Sequence, residues 1–433
     1  MSCNWPRVQI SEVCELIVDC VNKTAPRVDY ETPFKMIRTP NVKGGKISLN
    51  DCRFVEEDTY EKWTRRAKVL RDDVLLTREA PMGEVGIVDF DETVFLGQRI
   101  MQYRADRSKL DPHFLLYSFL SSDLQHQFNM HEGSGSVVSH IRVPDCSKFE
   151  LNLPPLDVQK DIAGVLKKLD RKISVNQQTN QTLEQMAQAI FKSWFVDFDP
   201  VKAKMNGEQP EGMDAATASL FPEKLVSETG LPEGWKLSEI GDEVTVVGGG
   251  TPSKKNDDFW VDGHIHWTSP KDLSGVQDKV LLDTASKVTE AGLKKISSGL
   301  LPVDAVLLSS RAPVGYLALA KVPMAINQGY IAMKCEKQLP PEFVLQWCVH
   351  RMDEIKQRAS GSTFAEISKK SFKPISVVVP TGEVLSAYQK LVKPLYDAIT
   401  SNARQNEQLS SLRDTLLPKL LSGEIKLEMA KEQ

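Results

Sequence analysis

The 433-residue sequence has no strong excess of charge, no long apolar run and no paired cysteines. Its 54 Lys and Arg stand against 58 Asp and Glu, a net charge of −4, which excludes a polycation that coats nucleic acid through bulk charge. No run approaches the ~18 apolar residues of a membrane span, and the first residues lack the apolar region of a signal peptide. The seven cysteines are scattered without a Cys-x-x-Cys. We therefore expect reduced thiols in a soluble, cytoplasmic protein.

Motifs for catalysis, cofactor binding and metal binding are equally scarce. Gly248-Gly-Gly-Thr-Pro-Ser-Lys254 lacks the Gly-Lys-Ser/Thr ending of a phosphate loop. It is interpreted as a tight turn, although a loop whose amides contact a phosphate remains open. His264-x-His266 has no third ligand nearby, so no metal site is predicted. The sequence also lacks a His-Glu-x-x-His, a nucleophile elbow and a dinucleotide fingerprint. No catalytic residue and no cofactor are therefore predicted in this chain.

The main positive feature is an internal duplication. Residues 71–83 are echoed by residues 302–315, and the offset between the copies drifts only from 232 to 226 residues along the chain. Small loop insertions produce such a drift. The aligned positions are Trp5 with Trp235, Pro81 with Pro313, Gly83 with Gly315, Gln98 with Gln328, Ser136 with Ser362 and Ile141 with Ile367. A tandem repeat of two similar modules is predicted.

Each copy combines a region of short apolar runs and turns with a long helix. The turn-rich regions predict a mixed α/β (α+β) module that includes helices over residues 114–128 and 342–357. The fold class is thus two tandem globular modules joined by two long antiparallel coiled-coil helices with pseudo-twofold symmetry. The predicted segments are 1–155 and 231–381 (globular modules), 156–198 and 382–423 (helical regions), 199–230 (acidic linker) and 424–433 (tail).

The two helices carry matching heptad seams. Apolar residues alternate in steps of three and four, and adding 226 to each position of the first seam gives the second. The residues expected to pair are Ile162, Leu166, Leu169, Ile173, Asn176, Asn180 and Leu183 in the first helix, with Val392, Leu395, Ile399, Asn402, Asn406 and Leu409 in the second.

Each seam is interrupted by two asparagines at equivalent positions. A buried asparagine lowers stability but fixes register, because a slipped partner would leave its amide unmatched. The two helices are therefore predicted to pair antiparallel, with Asn facing Asn near the middle. Replacing Asn176 and Asn402 by Leu is expected to raise stability. The alternative is that each helix only caps its own module.

The order of motifs resembles the specificity subunit of a type I restriction-modification enzyme. The resemblance covers essentially the whole chain, as two target recognition domains that are each followed by a helical region. The segments that carry it are Gly248-Gly-Gly-Thr-Pro-Ser253, Ile265-His-Trp-Thr-Ser-Pro-Lys-Asp-Leu273, Arg311-Ala-Pro-Val-Gly315, Ile326-Asn-Gln-Gly329, Gly133-Ser-Gly-Ser-Val-Val-Ser-His-Ile141 and Phe191-Lys-Ser-Trp-Phe-Val-Asp-Phe198. The first copy departs in detail, with Arg78-Glu-Ala-Pro81 and Leu96-Gly-Gln-Arg99 at the equivalent places.

This resemblance implies a non-catalytic subunit that binds double-stranded DNA. Each recognition domain would bind one half of a bipartite, asymmetric sequence, while the paired helices set the spacer and dock two modification subunits. Two restriction subunits would complete the assembly. S-adenosylmethionine, ATP and Mg²⁺ are expected on those partners, with adenine methylated after it is flipped from the duplex.

Local charge is compatible with this function. Residues 35–71 hold ten basic and five acidic residues, and residues 251–380 hold 17 and 13. Basic side chains neutralise phosphates, while Arg, Asn, Gln, Ser and Thr can contact base edges. The candidate DNA-contacting residues are Arg38, Asn41, Lys43, Arg78, Gln98, Arg99, Ser136 and His140 in the first copy, and Lys254, Lys255, Ser269, Lys271, Arg311, Gln328, Ser362 and Thr363 in the second.

Two other functions stay open from the sequence. A duplicated protein-binding scaffold without a DNA role would have the same symmetry. A methyltransferase fused to its recognition domain is disfavoured, because the cofactor loop is missing.

Overall fold

The computed structural model describes residues 5–131, 140–276, 278–361 and 365–427. The chain divides into two compact units. Unit 1 comprises residues 1–172 with 408–433, and unit 2 comprises residues 173–407. Both boundaries fall inside the long helices Leu156–Phe195 and Gly382–Leu421.

Unit 1 contains eleven strands and three short helices among its described residues. The strands are β1 (Arg7–Gln9), β2 (Cys14–Asp19), β3 (Lys35–Ile37), β4 (Val42–Lys43), β5 (Lys46–Ile47), β6 (Arg53–Phe54), β7 (Val74–Arg78), β8 (Met82–Ile87), β9 (Val94–Leu96), β10 (Ile100–Ala105) and β11 (Glu150–Asn152). The short helices are α1 (Glu57–Trp63), α2 (Pro112–Leu120) and α3 (Ser122–Asn129), and the long helix Leu156–Phe195 is α4.

Unit 2 repeats this plan. Its helices are α5 (Asp199–Met205), α6 (Ala215–Ser219), α7 (Ile240–Glu243), α8 (Glu290–Leu293), α9 (Pro341–His350), α10 (Met352–Gln357), α11 (Lys369–Phe372) and the long α12 (Gly382–Leu421). Its strands are β12 (Lys236–Glu239), β13 (Thr245–Gly248), β14 (Ile265–Thr268), β15 (Val280–Leu281), β16 (Ser286–Val288), β17 (Val306–Ser309), β18 (Leu317–Ala320), β19 (Met324–Ile326), β20 (Tyr330–Lys334) and β21 (Ser376–Val379).

The duplication extends to strand order. The main sheet runs β2-β10-β7-β8 in unit 1 and β13-β20-β17-β18-β15 in unit 2. A second sheet runs β6-β3-β9 and β16-β14-β19, in each case with one antiparallel and one parallel pairing. The first and last strands of each module also pair, as β1 with β11 and β12 with β21. The predicted tandem repeat of mixed α/β modules is therefore confirmed.

Two predicted helices are interrupted. The segment predicted as one helix over 114–128 is α2 and α3, and Ser121 between them has extended backbone and caps α3 by accepting a hydrogen bond from Leu124 N. The segment over 342–357 is α9 and α10, separated by Arg351. Apolar periodicity continues across both breaks, which explains why the sequence pattern does not reveal them.

The two long helices pair in antiparallel fashion within unit 2. Asn176 Nδ2 donates to Asn406 Oδ1 at 2.9 Å and to Gln405 Oε1 at 2.8 Å, while Asn402 Nδ2 donates to Asn180 Oδ1 at 2.8 Å. Asn176 and Asn180 are only 2% and 1% exposed. The predicted Asn-facing-Asn seam is confirmed, with each asparagine partnered across the interface.

The other seam residues are buried or half-buried. In unit 1, Ile162 and Leu166 belong to the core that also contains Leu417 and Leu420 of α12. In unit 2, Ile173, Val392 and Ile399 are buried and Leu183 and Leu395 pack at the edge of the core, while Leu169 and Leu409 are half-buried in unit 1.

A carboxylate joins the globular part of each unit to the paired helices, buried in unit 2 and half-buried in unit 1. In unit 2, Glu184 of α4 accepts hydrogen bonds from Tyr396 Oη (2.7 Å) of α12, Gln346 Nε2 (3.0 Å) of α9 and Lys279 Nζ (2.9 Å). Burial raises the pKa of Tyr396 well above its usual value, so this phenol stays protonated and donates.

Unit 1 has a similar hydrogen-bonded cluster around another carboxylate. Asp170 of α4 accepts from Tyr117 Oη of α2 at 2.7 Å and from Arg413 Nη1 of α12 at 2.8 Å. Arg413, the basic residue that interrupts the second seam, is thus paired with an acid. Tyr117 and Gln346 occupy the same position in the equivalent helices α2 and α9, so both modules use this site to contact the helical pair.

The acidic connector packs onto unit 2. Val201 and Phe221 are 0% and 2% exposed, and the Phe221 ring meets Trp194 edge-to-face at a centroid distance of 5.0 Å. The segment therefore contributes to an existing core rather than forming its own. The domain limits proposed from the sequence remain predictions.

The observed asparagine partners change the expected result of substituting these residues by leucine. Asn176→Leu should lower the free energy of unfolding by about 1–2 kcal/mol, because Asn406 loses its donor. The double variant N176L/N406L should recover that loss or exceed wild type, since both amides are replaced by apolar groups. The measurement is chemical denaturation of all four members of the cycle.

The matched control is N176L/N402L, which leaves one amide without its partner in each of the two Asn–Asn pairs. The sequence alone predicts a gain in stability for it, whereas the observed pairing predicts an additive loss. Equal stability of N176L/N406L and N176L/N402L would contradict the assigned register.

Candidate nucleic-acid interface

A turn held by a buried hydroxyl is the best-defined feature of the candidate site in unit 2. Ser309, at the end of β17, donates to Pro313 O at 2.7 Å and accepts from Gly315 N (3.1 Å) and Tyr316 N (2.8 Å). The Ala312–Pro313 peptide bond is cis. Backbone bonds from Ser310 N to Gly329 O (2.8 Å) and from Ile367 N to Ser310 O (3.0 Å) clamp the turn between two loops.

Unit 1 contains the same turn with the same clamps. Thr77 donates to Pro81 O at 2.7 Å and accepts from Glu84 N at 3.0 Å, and Ala80–Pro81 is also cis. Arg78 N donates to Arg99 O (2.8 Å) and Arg78 O accepts from Ile141 N (3.0 Å). These bonds make Arg78 equivalent to Ser310, Glu79 to Arg311 and Arg99 to Gly329.

Three of the predicted DNA-contacting residues of the second copy meet at one cleft. Ser269, Lys271 and Arg311 line a cleft of about 370 Å³ together with Asn327 and Tyr316. Ser269 N donates to Asp272 Oδ2 at 2.7 Å, which fixes the start of the 3₁₀ turn Pro270–Leu273. Lys271 projects from that turn into solvent. The cleft therefore combines two cations with hydroxyl and amide groups.

Arg311 is an exposed guanidinium with one acidic partner. Its Nη1 lies 3.6 Å from Glu366 Oε2, and the two side chains are 37% and 45% exposed. In unit 1 the turn instead carries an acid, Glu79, which forms an ion pair with Arg99 at the position of Gly329. The side chains of Arg99 and Glu79 are 50% and 25% exposed. Arg99 also has a positive φ of 73°, which is uncommon for a side-chain-bearing residue.

The loop after β3 of unit 1 is the counterpart of the 3₁₀ turn that carries Lys271. Arg38 N donates to Asn41 Oδ1 at 2.9 Å, as Ser269 N does to Asp272. Asn41 is only 5% exposed, and its Nδ2 donates to Asn50 O at 3.0 Å. Its amide thus maintains the loop, a role that the sequence pattern did not suggest. Arg38 Nη2 donates to Asp51 O at 2.7 Å, and Lys43 is exposed on β4.

The remaining predicted residues are distributed around these turns. Arg78 Nη1 donates to Ile141 O at 3.0 Å, which ties its side chain to the protein. Gln98 lies 3.5 Å from Asn22, and Gln328 Oε1 accepts from Thr251 Oγ1 at 2.5 Å. Lys254 and Lys255 are exposed in the loop that follows the Gly-rich segment. His140 is half-buried beside Ile141, while Ser136, Ser362 and Thr363 lie outside the described residues.

The Gly-rich segment is explained by close packing. A Cβ on Gly249 would lie 1.9 Å from Ile326 O, and Gly250 O accepts from Trp267 Nε1 at 3.1 Å. Residues 249–253 are irregular after β13 and the first turn lies at Lys254 and Lys255, so the tight turn predicted for the glycine run is not confirmed. The two neighbouring histidines have separate acidic partners, His264 with Glu290 at 3.7 Å and His266 with Asp283 at 2.9 Å. Within the described ranges, no three His, Cys, Asp or Glu residues cluster as metal ligands would.

Glu79, Glu366 and Asn327 lie at the turn and cleft but were not among the residues predicted from the sequence. Glu79 had a signal, because it occupies the position of Arg311 in the repeated turn. No sequence signal pointed to Glu366 or Asn327 beyond their proximity to aligned motifs. The direction of a side chain in a loop is set by the fold.

Two modules with equivalent turns, each presenting basic and amide groups, define a duplicated DNA-recognition protein. The sequence matches the type I restriction modification DNA specificity domain over residues 3–185 and again over 232–411. The chain belongs to this family.

Relatives agree with this assignment. The HindI specificity subunit of Haemophilus influenzae is 28% identical over 82% of this chain and 87% of its own length. The MjaIX specificity subunit of Methanocaldococcus jannaschii is 25% identical over 82% and 78%. The crystal structure of a type I restriction-modification S subunit from M. genitalium shares the fold, with a TM-score of 0.52 at 16% identity over 99% of this chain and 97% of that one.

No helix in the part of the chain that the structure describes is long and apolar enough to cross a membrane.

The hydroxyl-anchored turn provides a stability test. Ser309→Ala should lower the free energy of unfolding by about 2 kcal/mol, because a buried carbonyl and two N–H groups lose a partner. Ser309→Thr should stay within about 1 kcal/mol of wild type, since threonine fills the equivalent position in unit 1. Thermal or denaturant unfolding measures both, and equal losses would show that the hydroxyl is not the anchor.

Proposed function

We propose that this chain is the specificity subunit of a type I restriction-modification complex, in which each module binds one half of a bipartite, asymmetric DNA sequence. The observation that carries the proposal is the cleft of unit 2, where Ser269 and Lys271 of one turn meet Arg311 of another. Cations there neutralise phosphates, and the hydroxyl, amide and guanidinium groups can contact base edges.

The divergence of the two modules supports reading of two different half-sites. Their backbones present the same clamped turn, but the side chains at its tip have opposite charge, Glu79 in one and Arg311 in the other. A shared scaffold with different tips matches an asymmetric target. Ser136, Ser362 and Thr363 remain candidates for DNA contact on the same reasoning from sequence.

The chemistry is assigned to partners. Modification subunits that carry S-adenosylmethionine would methylate adenine, and restriction subunits with ATP and Mg²⁺ would cleave DNA, in the cytoplasm of a prokaryotic cell. This chain would select the site, and its paired helices would set the spacer between half-sites and dock two modification subunits.

The helices carry equivalent apolar residues suited to docking. Met186 of α4 is 47% exposed in unit 2, and Leu412 of α12 is 46% exposed in unit 1. They are 226 residues apart, the offset of the two seams. Each of two copies of one partner could therefore contact an exposed apolar side chain at the equivalent position of one helix.

Salt dependence tests the DNA-binding role. The assembled methyltransferase should bind its target with an affinity that falls steeply as salt rises. Lys271→Ala should reduce the slope of log K against log salt by about one, with similar weakening on all sequences. Lys224→Ala, an exposed lysine of the connector, is the control and should leave the slope unchanged. Salt-independent binding would favour the protein scaffold instead.

Docking is tested by charge at the equivalent apolar residues. Met186→Glu and Leu412→Glu should each reduce the number of bound modification subunits from two to one, measured by native mass spectrometry. The double variant should bind none. Lys224→Glu is a matched surface control, and full assembly of the double variant would exclude this surface.

A further inference from the structure

We infer that Arg99 and Arg311 are guanine-reading residues, one in each module, and that Glu79 and Glu366 are the positioning residues that orient them. This inference rests on the proposed DNA-binding function and names the base class that the site reads. It adds two acidic residues that charge considerations alone would keep away from DNA.

The first observation is that a carboxylate–guanidinium pair lies at the clamped turn of each module. The turn has the same backbone hydrogen bonds in both modules, but its side chain pairs with a different clamping loop: Glu79 with Arg99 at the position of Gly329, and Arg311 with Glu366 beside Ile367. Unit 1 has the acid on the turn, whereas unit 2 has the base there. Both modules nevertheless retain one carboxylate–guanidinium pair between the turn and a neighbouring loop.

The second observation concerns availability. A guanidinium has five N–H donors in a planar fork, and a single carboxylate engages only part of them. Arg99 and Arg311 keep half and over a third of their side-chain surface exposed. The carboxylate beside each arginine, in an ion pair with Arg99 and 3.6 Å from Arg311, favours one orientation of the guanidinium, whose remaining donors match the O6 and N7 acceptors of guanine. A phosphate contact would not require this orientation.

The third observation is the backbone of Arg99. Its φ of 73° lies in the left-handed region, whereas Gly329, the equivalent residue of unit 2, does not have a positive φ. A glycine would be free of the steric penalty at this position. An arginine kept in an unfavourable conformation beside this turn indicates that its side chain has a function there.

The test is the methylation motif of the assembled complex, obtained by sequencing methylated DNA. In wild type, each half-site should contain a guanine on one strand. Arg311→Ala should lose the base preference at one position of one half-site only, with methylation of the target reduced roughly 10- to 100-fold. Glu366→Gln should weaken preference at that same position with an unchanged melting temperature.

Arg99→Gly separates recognition from folding. Relief of the left-handed strain should leave the melting temperature equal or higher, while one position of the other half-site loses its preference, and Glu79→Gln should weaken that position. Lys271→Ala is the matched control and should lower affinity without changing the motif.

Each result discriminates. A motif that is unchanged in Arg311→Ala and Arg99→Gly, or that lacks guanine in either half-site, would overturn the inference while leaving the proposed function intact. Absence of any motif for the wild-type complex would instead reject the proposed function.

Discussion

The register between the two long helices is the constraint on which the remaining structure depends. An apolar seam alone is compatible with several registers, because leucine and isoleucine pack against one another in many combinations. Asn176 and Asn180 remove that freedom, since each buried amide has its partner on α12 only in the observed alignment. Burial of these polar groups lowers the stability of the helix pair, but it leaves the helices with one defined alignment.

Two carboxylates, the buried Glu184 and the half-buried Asp170, extend this order to the modules. Glu184 and Asp170 each accept hydrogen bonds from the other long helix and from a short helix of the globular part. A carboxylate that is buried among such donors is expensive to leave unpaired, so displacement of a module from the helices would expose an unsatisfied charge. The recognition turns are in this way coupled to the helical pair by polar contacts within each unit.

Much of the architecture could be predicted from periodicity and repetition. The heptad seams, the asparagines and the aligned Pro81 and Pro313 are local patterns that a reader of the sequence can align. Helix breaks at Ser121 and Arg351 were missed, because apolar spacing continues through them. DNA contact by Asn41 stays a prediction. Its amide is used by the backbone of its own loop, and residue type alone does not distinguish a loop-holding amide from one that faces DNA.

The sequence by itself determined that this protein is a tandem repeat of a DNA specificity domain with two pairing helices. These properties follow from the matched motifs of the two copies and from the heptad spacing of the apolar residues. Only the tertiary structure decided which asparagines are partners, and that Ser269, Lys271 and Arg311 share one cleft. It also revealed that Glu79 and Arg311, at the same place in the turn, form ion pairs with residues of different loops, Arg99 and Glu366. The physical reason is that partner choice and side-chain direction depend on loops that meet only after the strands have paired, at separations that no local pattern encodes.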